Sequence, residues 1–260
     1  MLWRSLSQLA LISWALCTQA EAATLMLSYG ALEQANQKDN FYTLEAAKNQ
    51  GELTDFEVIS LNHAKGQTLH DSVEVLSRGL GVDFAILRLS ADIGYLFSLD
   101  KYALDEVDYG ISRSVLGLAL RLDLSILTLH AFSRSYIPVG SATTHIDSFD
   151  LTFNPYPHQQ SAAGITLQLG PLEIQGETGR LDNLKGRFDI LGENFMLTLR
   201  AVTYGKAALV LKGGNNTLLR LEAHKVLQDH NRRSDFHKLI GSAIHRDAYD
   251  GGSLGIGFAF

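Results

Sequence analysis

The chain has 260 residues, a formal net charge of −6 and 46% hydrophobic content, with 23 glycines and 4 prolines. Its lysines and arginines form no long runs, which argues against nucleic acid as a partner. After residue 22 no stretch stays apolar for about 18 residues, which excludes helical membrane spans.

Met1 to Ala22 read as a secretory signal peptide. Arg4 supplies the positive charge, Leu9 to Leu16 the apolar segment, and Ala20-Glu21-Ala22 the small-x-small cleavage pattern, so the mature chain is expected to begin at Ala23. The apolar segment falls short of the roughly 20 residues that span a bilayer. The sole cysteine, Cys17, follows Leu16, where a lipoprotein signal wants a small residue. The mature chain is therefore expected to lack a thiol, a disulfide and any Cys-ligated metal.

Beyond the leader, alternation with a period of two dominates the chain. Leu80, Val82, Phe84 and Ile86 alternate with Gly79, Gly81, Asp83 and Ala85. The phase then flips near Leu87-Arg88, and Leu89, Ala91, Ile93, Tyr95 and Phe97 carry the apolar face. A phase flip with almost no spacer is the mark of two strands joined by a tight turn. The pattern recurs at Leu116 to Leu124 with a flip at Ser125, at Ile165 to Leu169 with Gly170-Pro171, and at Phe195 to Leu199 with a turn near Arg200-Val202. Longer polar connections are expected at Glu33–Asn40, His63–Gln67, Lys101–Asp108, Val139–Ser161, Thr178–Lys185 and Arg246–Gly252. The longest, Val139–Ser161, holds Pro155, Pro157, Phe149, Phe153 and Tyr156, and is read as an external loop resting on a rim rather than folding inward. Counting segments yields about 14 strands, with 12 a close alternative. Gln228 to Asp235 reads either as an unusually long inner turn or as a short helix replacing a hairpin.

The last seven residues carry the sharpest signal. Leu254, Ile256, Phe258 and Phe260 alternate with Gly255, Gly257 and Ala259, one face large and apolar, the other nearly bare. A soluble domain rarely ends on such an uncapped edge. This segment resembles the C-terminal assembly signal of bacterial outer-membrane β-barrels. The resemblance implies an all-β, antiparallel, up-and-down transmembrane barrel of about 12–14 strands spanning residues 23–260 in the bacterial outer membrane. Its partners would be outer-membrane lipid and lipopolysaccharide, together with the barrel-assembly machinery, engaged through Leu254, Ile256, Phe258 and Phe260.

Charges opposite the apolar stripes must then point inward, because Arg or Lys on a barrel's lipid face costs about 2–4 kcal/mol at the midplane. Asp83, Asp92, Thr198 and His224 belong to this phase. The candidates for lining the lumen and setting selectivity are Arg121, Asp123, His130, Arg134, Glu173, Glu177, Arg200, Arg220 and Glu222. They serve either a selective pore or a salt-bridged interior that holds a small barrel together. Catalytic signals are weak. Outer-membrane barrel phospholipases and lipid A deacylases present His-x-Ser on one strand. Here His130-Ala131-Phe132-Ser133 has a three-residue spacing, which puts the two side chains on opposite faces. His63 reads as a solvated loop histidine. His224, His230, His237 and His245 are the nearest approach to a histidine cluster, and no metal or cofactor motif is present. The expected function is passive diffusion of small polar or charged solutes. The alternatives are a closed barrel whose external loops do the work, or a lipid-modifying enzyme.

Overall fold

The computed structural model describes residues 22–34, 37–49, 55–65, 68–102, 107–146, 149–199, 201–229 and 250–259. Met1 to Glu21, Arg200, His230, His237, His245 and Phe260 lie outside the described residues. The chain forms β1 (Ala22–Gln34), β2 (Gln37–Asn49), β3 (Asp55–Lys65), β4 (Thr68–Phe84), β5 (Leu87–Tyr102), β6 (Val107–Leu124), β7 (Leu127–Pro138), β8 (Ala142–Ile146), β9 (Phe149–Pro155), β10 (His158–Leu169), β11 (Leu172–Leu181), β12 (Leu184–Ile190), β13 (Glu193–Leu199), β14 (Val202–Lys212), β15 (Thr217–Asp229) and β16 (Asp250–Ala259). For β3, and for most of β2 and β4, the description covers the backbone alone.

Twelve strands close into an antiparallel barrel in the order β1-β16-β15-β14-β11-β10-β7-β6-β5-β4-β3-β2. Closure rests on the last strand: Leu254, Ile256 and Phe258 of β16 stand opposite Tyr29, Leu27 and Leu25 of β1. A closed barrel leaves no strand edge, which is the condition for crossing hydrocarbon with every backbone group paired. Alternation decides the faces. Leu116, Leu118 and Leu120 of β6 are exposed on the outside, and Arg113 and Val115 of the same strand are buried inside. Leu27, Ile93, Ile165, Leu209, Leu221, Leu254 and Ile256 continue the outward apolar belt around the wall. So much exposed aliphatic surface suits lipid rather than water.

One end of the barrel gathers the tight turns and the end of β16. Ala85-Ile86, Ser125-Ile126 and Gly170-Pro171 link β4 to β5, β6 to β7 and β10 to β11, and a single 3-10 turn at Gly214–Asn216 links β14 to β15. The other end carries a second sheet of four strands in the order β13-β12-β9-β8. This sheet is the outward continuation of barrel strands. The β11–β14 register, Leu172 opposite Leu211 to Leu181 opposite Val202, runs on without a slip as Leu184 opposite Leu199 to Ile190 opposite Glu193. The β10–β11 register likewise continues as Pro155 opposite Gly186. Between β7–β10 and β8–β9 the register slips by a residue, so that Phe153 meets Ala142 rather than Ser141. The ladder is interrupted where Pro157 lacks a donor. There the Asp182 N–H donates to the Gln159 carbonyl (2.8 Å), and the Ala201 N–H donates to Asn183 Oδ1 (2.7 Å). Phe153 and Phe188 stack on the sheet's buried face with ring centroids 4.6 Å apart, while Thr143, Lys185 and Arg187 occupy the exposed one.

Several expectations change accordingly. The barrel has twelve strands, because Phe195–Leu199 belongs to the projecting sheet and pairs in the same register as β14, while Arg200 lies outside the described residues. Thr198 therefore lies in the projecting sheet rather than on the lumen wall. Val139–Ser161 is a hairpin, β8–β9, followed by the start of β10, and neither a rim loop nor an inward fold. Strands run through much of Glu33–Asn40, His63–Gln67, Lys101–Asp108 and Thr178–Lys185, and His63 is a strand residue opposite Phe41 and His70. Polar residues in a strand look like loop in sequence, because only the part of a barrel strand within the bilayer needs an apolar face. Gln228 and Asp229 are the last residues of β15, and residues 230–235 lie outside the described residues.

Candidate functional site: the inward wall

Cross-strand register brings residues far apart in sequence into single rows. One row reads Arg88, Arg121, His130, Gly164, Glu177, Lys206, His224 and Gly251 across β5, β6, β7, β10, β11, β14, β15 and β16. Towards the turns lies the row Asp123, Thr128, Thr166, Gln175, Ala208, Glu222 and Ser253. Arg134 and Gln160 share a row with Asp92, and Glu173 shares one with Arg220. The described candidates Arg121, Asp123, His130, Arg134, Glu173, Glu177, Arg220 and Glu222 thus all sit in the inward phase. Arg200 lies outside the described residues, and Asp83 is placed by its backbone register opposite Arg88.

These charges are mostly paired. Arg134 Nε donates to Asp92 Oδ2 at 2.7 Å; Asp92 is 0% exposed at the side chain and Arg134 9%. Arg134 also lies over the Phe132 ring at 4.3 Å. It can lie flat because Gly117 faces it, where a Cβ would run into the Arg134 side chain and the Ser133 carbonyl. Arg220 donates to Glu45 Oε2 at 2.7 Å and pairs closely with Glu222. Lys212 pairs with Glu173 at 3.2 Å. Near the turn end Arg121 donates to Asp123 Oδ1 at 3.0 Å, and the Thr128 hydroxyl donates to the same oxygen at 2.7 Å.

A chain of neutral and charged groups crosses the same wall. The Tyr136 hydroxyl donates to Gln160 Oε1 (3.1 Å), and Gln160 Nε2 donates to the Tyr204 hydroxyl (2.8 Å). That hydroxyl donates to Glu177 Oε1 (3.5 Å), and Glu177 Oε2 meets His130 Nε2 (3.3 Å). Tyr204 lies across Gly179, where any side chain would strike its ring. Tyr136 stacks on His158 with centroids 4.9 Å apart. Val115 and Tyr136 are 0% exposed, so at this level the wall carries a packed layer of side chains. Sequence alternation points to the phase of Gln160, Tyr204 and Lys206 but says nothing of their convergence, which follows from register between β10, β11 and β14.

His130 and Ser133 do not meet. The His130 ring is turned to the lumen side, and Ser133 is exposed on the other face of β7. Among the described residues no group of three His, Cys, Asp or Glu residues could hold a metal ion.

The chain matches no family model and no curated protein sequence. Its fold is shared with solved outer-membrane channels. The NanC porin superposes with a TM-score of 0.53 at 10% identity, over 91% of this chain and 98% of that one. The Ralstonia pickettii toluene transporter TbuX superposes with a TM-score of 0.52 at 10% identity, over 92% and 87%. The KdgM porin superposes with a TM-score of 0.51 at 10% identity, over 90% and 99%. At such identity the likeness is one of fold.

Proposed function

We propose that the protein is a bacterial outer-membrane channel for passive diffusion of small polar or charged solutes. The observation that carries this reading is the contrast between the two faces of the closed wall. Its outside is aliphatic, and its inside is lined by Arg, Lys, Asp, Glu, Gln and Tyr. A polar interior suits hydrated solutes rather than hydrocarbons. NanC and KdgM are named as porins, and TbuX as a toluene transporter. The paired charges act as fixed dipoles along the inner wall, which favours weak rather than strong charge selectivity. On this reading lipopolysaccharide and lipid contact the outward leucines. The assembly machinery engages β16 and the terminal Phe260, with cleavage after Ala22 as the preceding step.

A second reading is a barrel closed by its own side chains, with function in the projecting sheet. It draws on the burial of Asp92, Arg113, Val115 and Tyr136. Single-channel recording of the full-length mature protein in planar bilayers separates the two. Discrete conductance steps are expected for the channel. A correctly inserted barrel that passes no current overturns it and leaves the closed barrel.

A further inference from the structure

We infer that Lys206 sets the charge preference of the lumen by holding the anionic groups of passing solutes. This rests on the channel reading. The argument is one of pairing. Each inward arginine or lysine with a described side chain, other than Lys206, has an acidic partner or is otherwise engaged. Arg121 has Asp123, Arg134 has Asp92, Lys212 has Glu173, and Arg220 has Glu45 and Glu222. Arg88 and Arg113 are also engaged. Among the described residues, Lys206 is the inward lysine or arginine that is held by neither an ion pair nor a hydrogen bond.

Its neighbours explain why. Directly opposite on β11 stands Glu177, whose Oε2 meets His130 and whose Oε1 accepts from Tyr204. Directly opposite on β15 stands His224, buried and 4.0 Å from Glu222. Glu177 and Glu222 are thus engaged by other groups, and the partly exposed Lys206 side chain sits in the inward phase. A bound ion pair presents a dipole whose potential fades within a few ångströms. A charge outside a close ion pair acts further, over about a Debye length, 8 Å at physiological ionic strength, tempered here by the Glu177 carboxylate across the strand. A solute carboxylate or phosphate passing the wall therefore meets Lys206 as the free donor, with three N–H groups able to replace part of its hydration.

The test is the reversal potential across a planar bilayer in a potassium chloride gradient, for wild type, Lys206→Met and Lys206→Glu. The methionine keeps the length of the side chain and removes the charge. Heat-modifiable migration on gels first verifies that each variant is a folded barrel. Removing one unit charge about 8 Å from a permeant ion should change the cation-to-anion permeability ratio roughly twofold towards cations. Reversing the charge should shift it further in the same direction. Addition of a small dicarboxylate should block current through wild type more strongly than through either variant. Folded, conducting variants with the wild-type reversal potential and the wild-type block overturn the inference and leave the channel standing. A wild-type barrel without conductance overturns the channel reading and this inference with it.

Discussion

At the scale of the residue, the inward wall is ordered by close pairing, and pairing makes its members unequal. Asp92 and Arg134 are both buried, so deleting one partner leaves the other charged in a low-dielectric site. Asp92→Ala should lower barrel stability by about 3–5 kcal/mol, measured as the urea midpoint of refolding into detergent micelles. Replacing both residues with apolar ones of similar volume should recover much of that loss, because the remaining charge has gone. An Asp92→Ala barrel as stable as wild type would show that the pair is not buried as the geometry places it. Arg121 and Asp123 differ. Both are about half exposed, and such a pair contributes little to stability.

At the scale of the element, each strand has a lipid face and a lumen face a single residue apart. Leu118→Arg should therefore destabilise insertion by about 2–4 kcal/mol, the cost of a cation on the lipid face near the midplane. Ala119→Arg, on the opposite face of β6, should cost distinctly less. Folding titrations into vesicles of decreasing urea concentration would measure both, and equal costs would mean that β6 does not separate lipid from lumen. β16 has a second role. It closes the barrel against β1 through Leu254, Ile256 and Phe258. Phe258→Asp places a charge in this lipid-facing seam and should sharply reduce the amount of heat-modifiable barrel in the outer-membrane fraction. A normal yield would separate closure from the apolar terminal stripe.

At the scale of the whole molecule, the barrel and the projecting sheet are continuous in register yet separable in what they need. The twelve-strand ladder closes through β1 and β16 without any residue of β8, β9, β12 or β13. Shortening the hairpins, by joining Ser141 to Tyr156 and Asp182 to Ala201 through short Gly-Asn turns, should leave a barrel that still assembles and conducts. Failure to assemble would mean that the sheet is part of the barrel's stability, with Phe153 and Phe188 as its buried contribution. For the membrane-extracted protein, intact mass should correspond to a chain starting at Ala23, and a mass that includes Cys17 would overturn cleavage.

The amino-acid sequence alone determined the strand periodicity, the antiparallel barrel class and the inward phase of Arg121, Asp123, His130, Glu177 and Arg220. These are local properties: a side chain's face follows from its parity along one strand, and charge cannot lie in hydrocarbon. Tertiary structure decided the rest. Strand count hung on whether Phe195–Leu199 forms a wall or a projection, and alternation looks the same in both. Loop and strand were confused at His63 and at Val139–Ser161, because a strand outside the bilayer carries no apolar stripe. The partners of Arg134, the Tyr136–Gln160–Tyr204–Glu177 chain and the place of Lys206 between Glu177 and His224 depend on register between strands that can be dozens of residues apart in sequence. A register shift of one residue exchanges every neighbour without changing any local pattern.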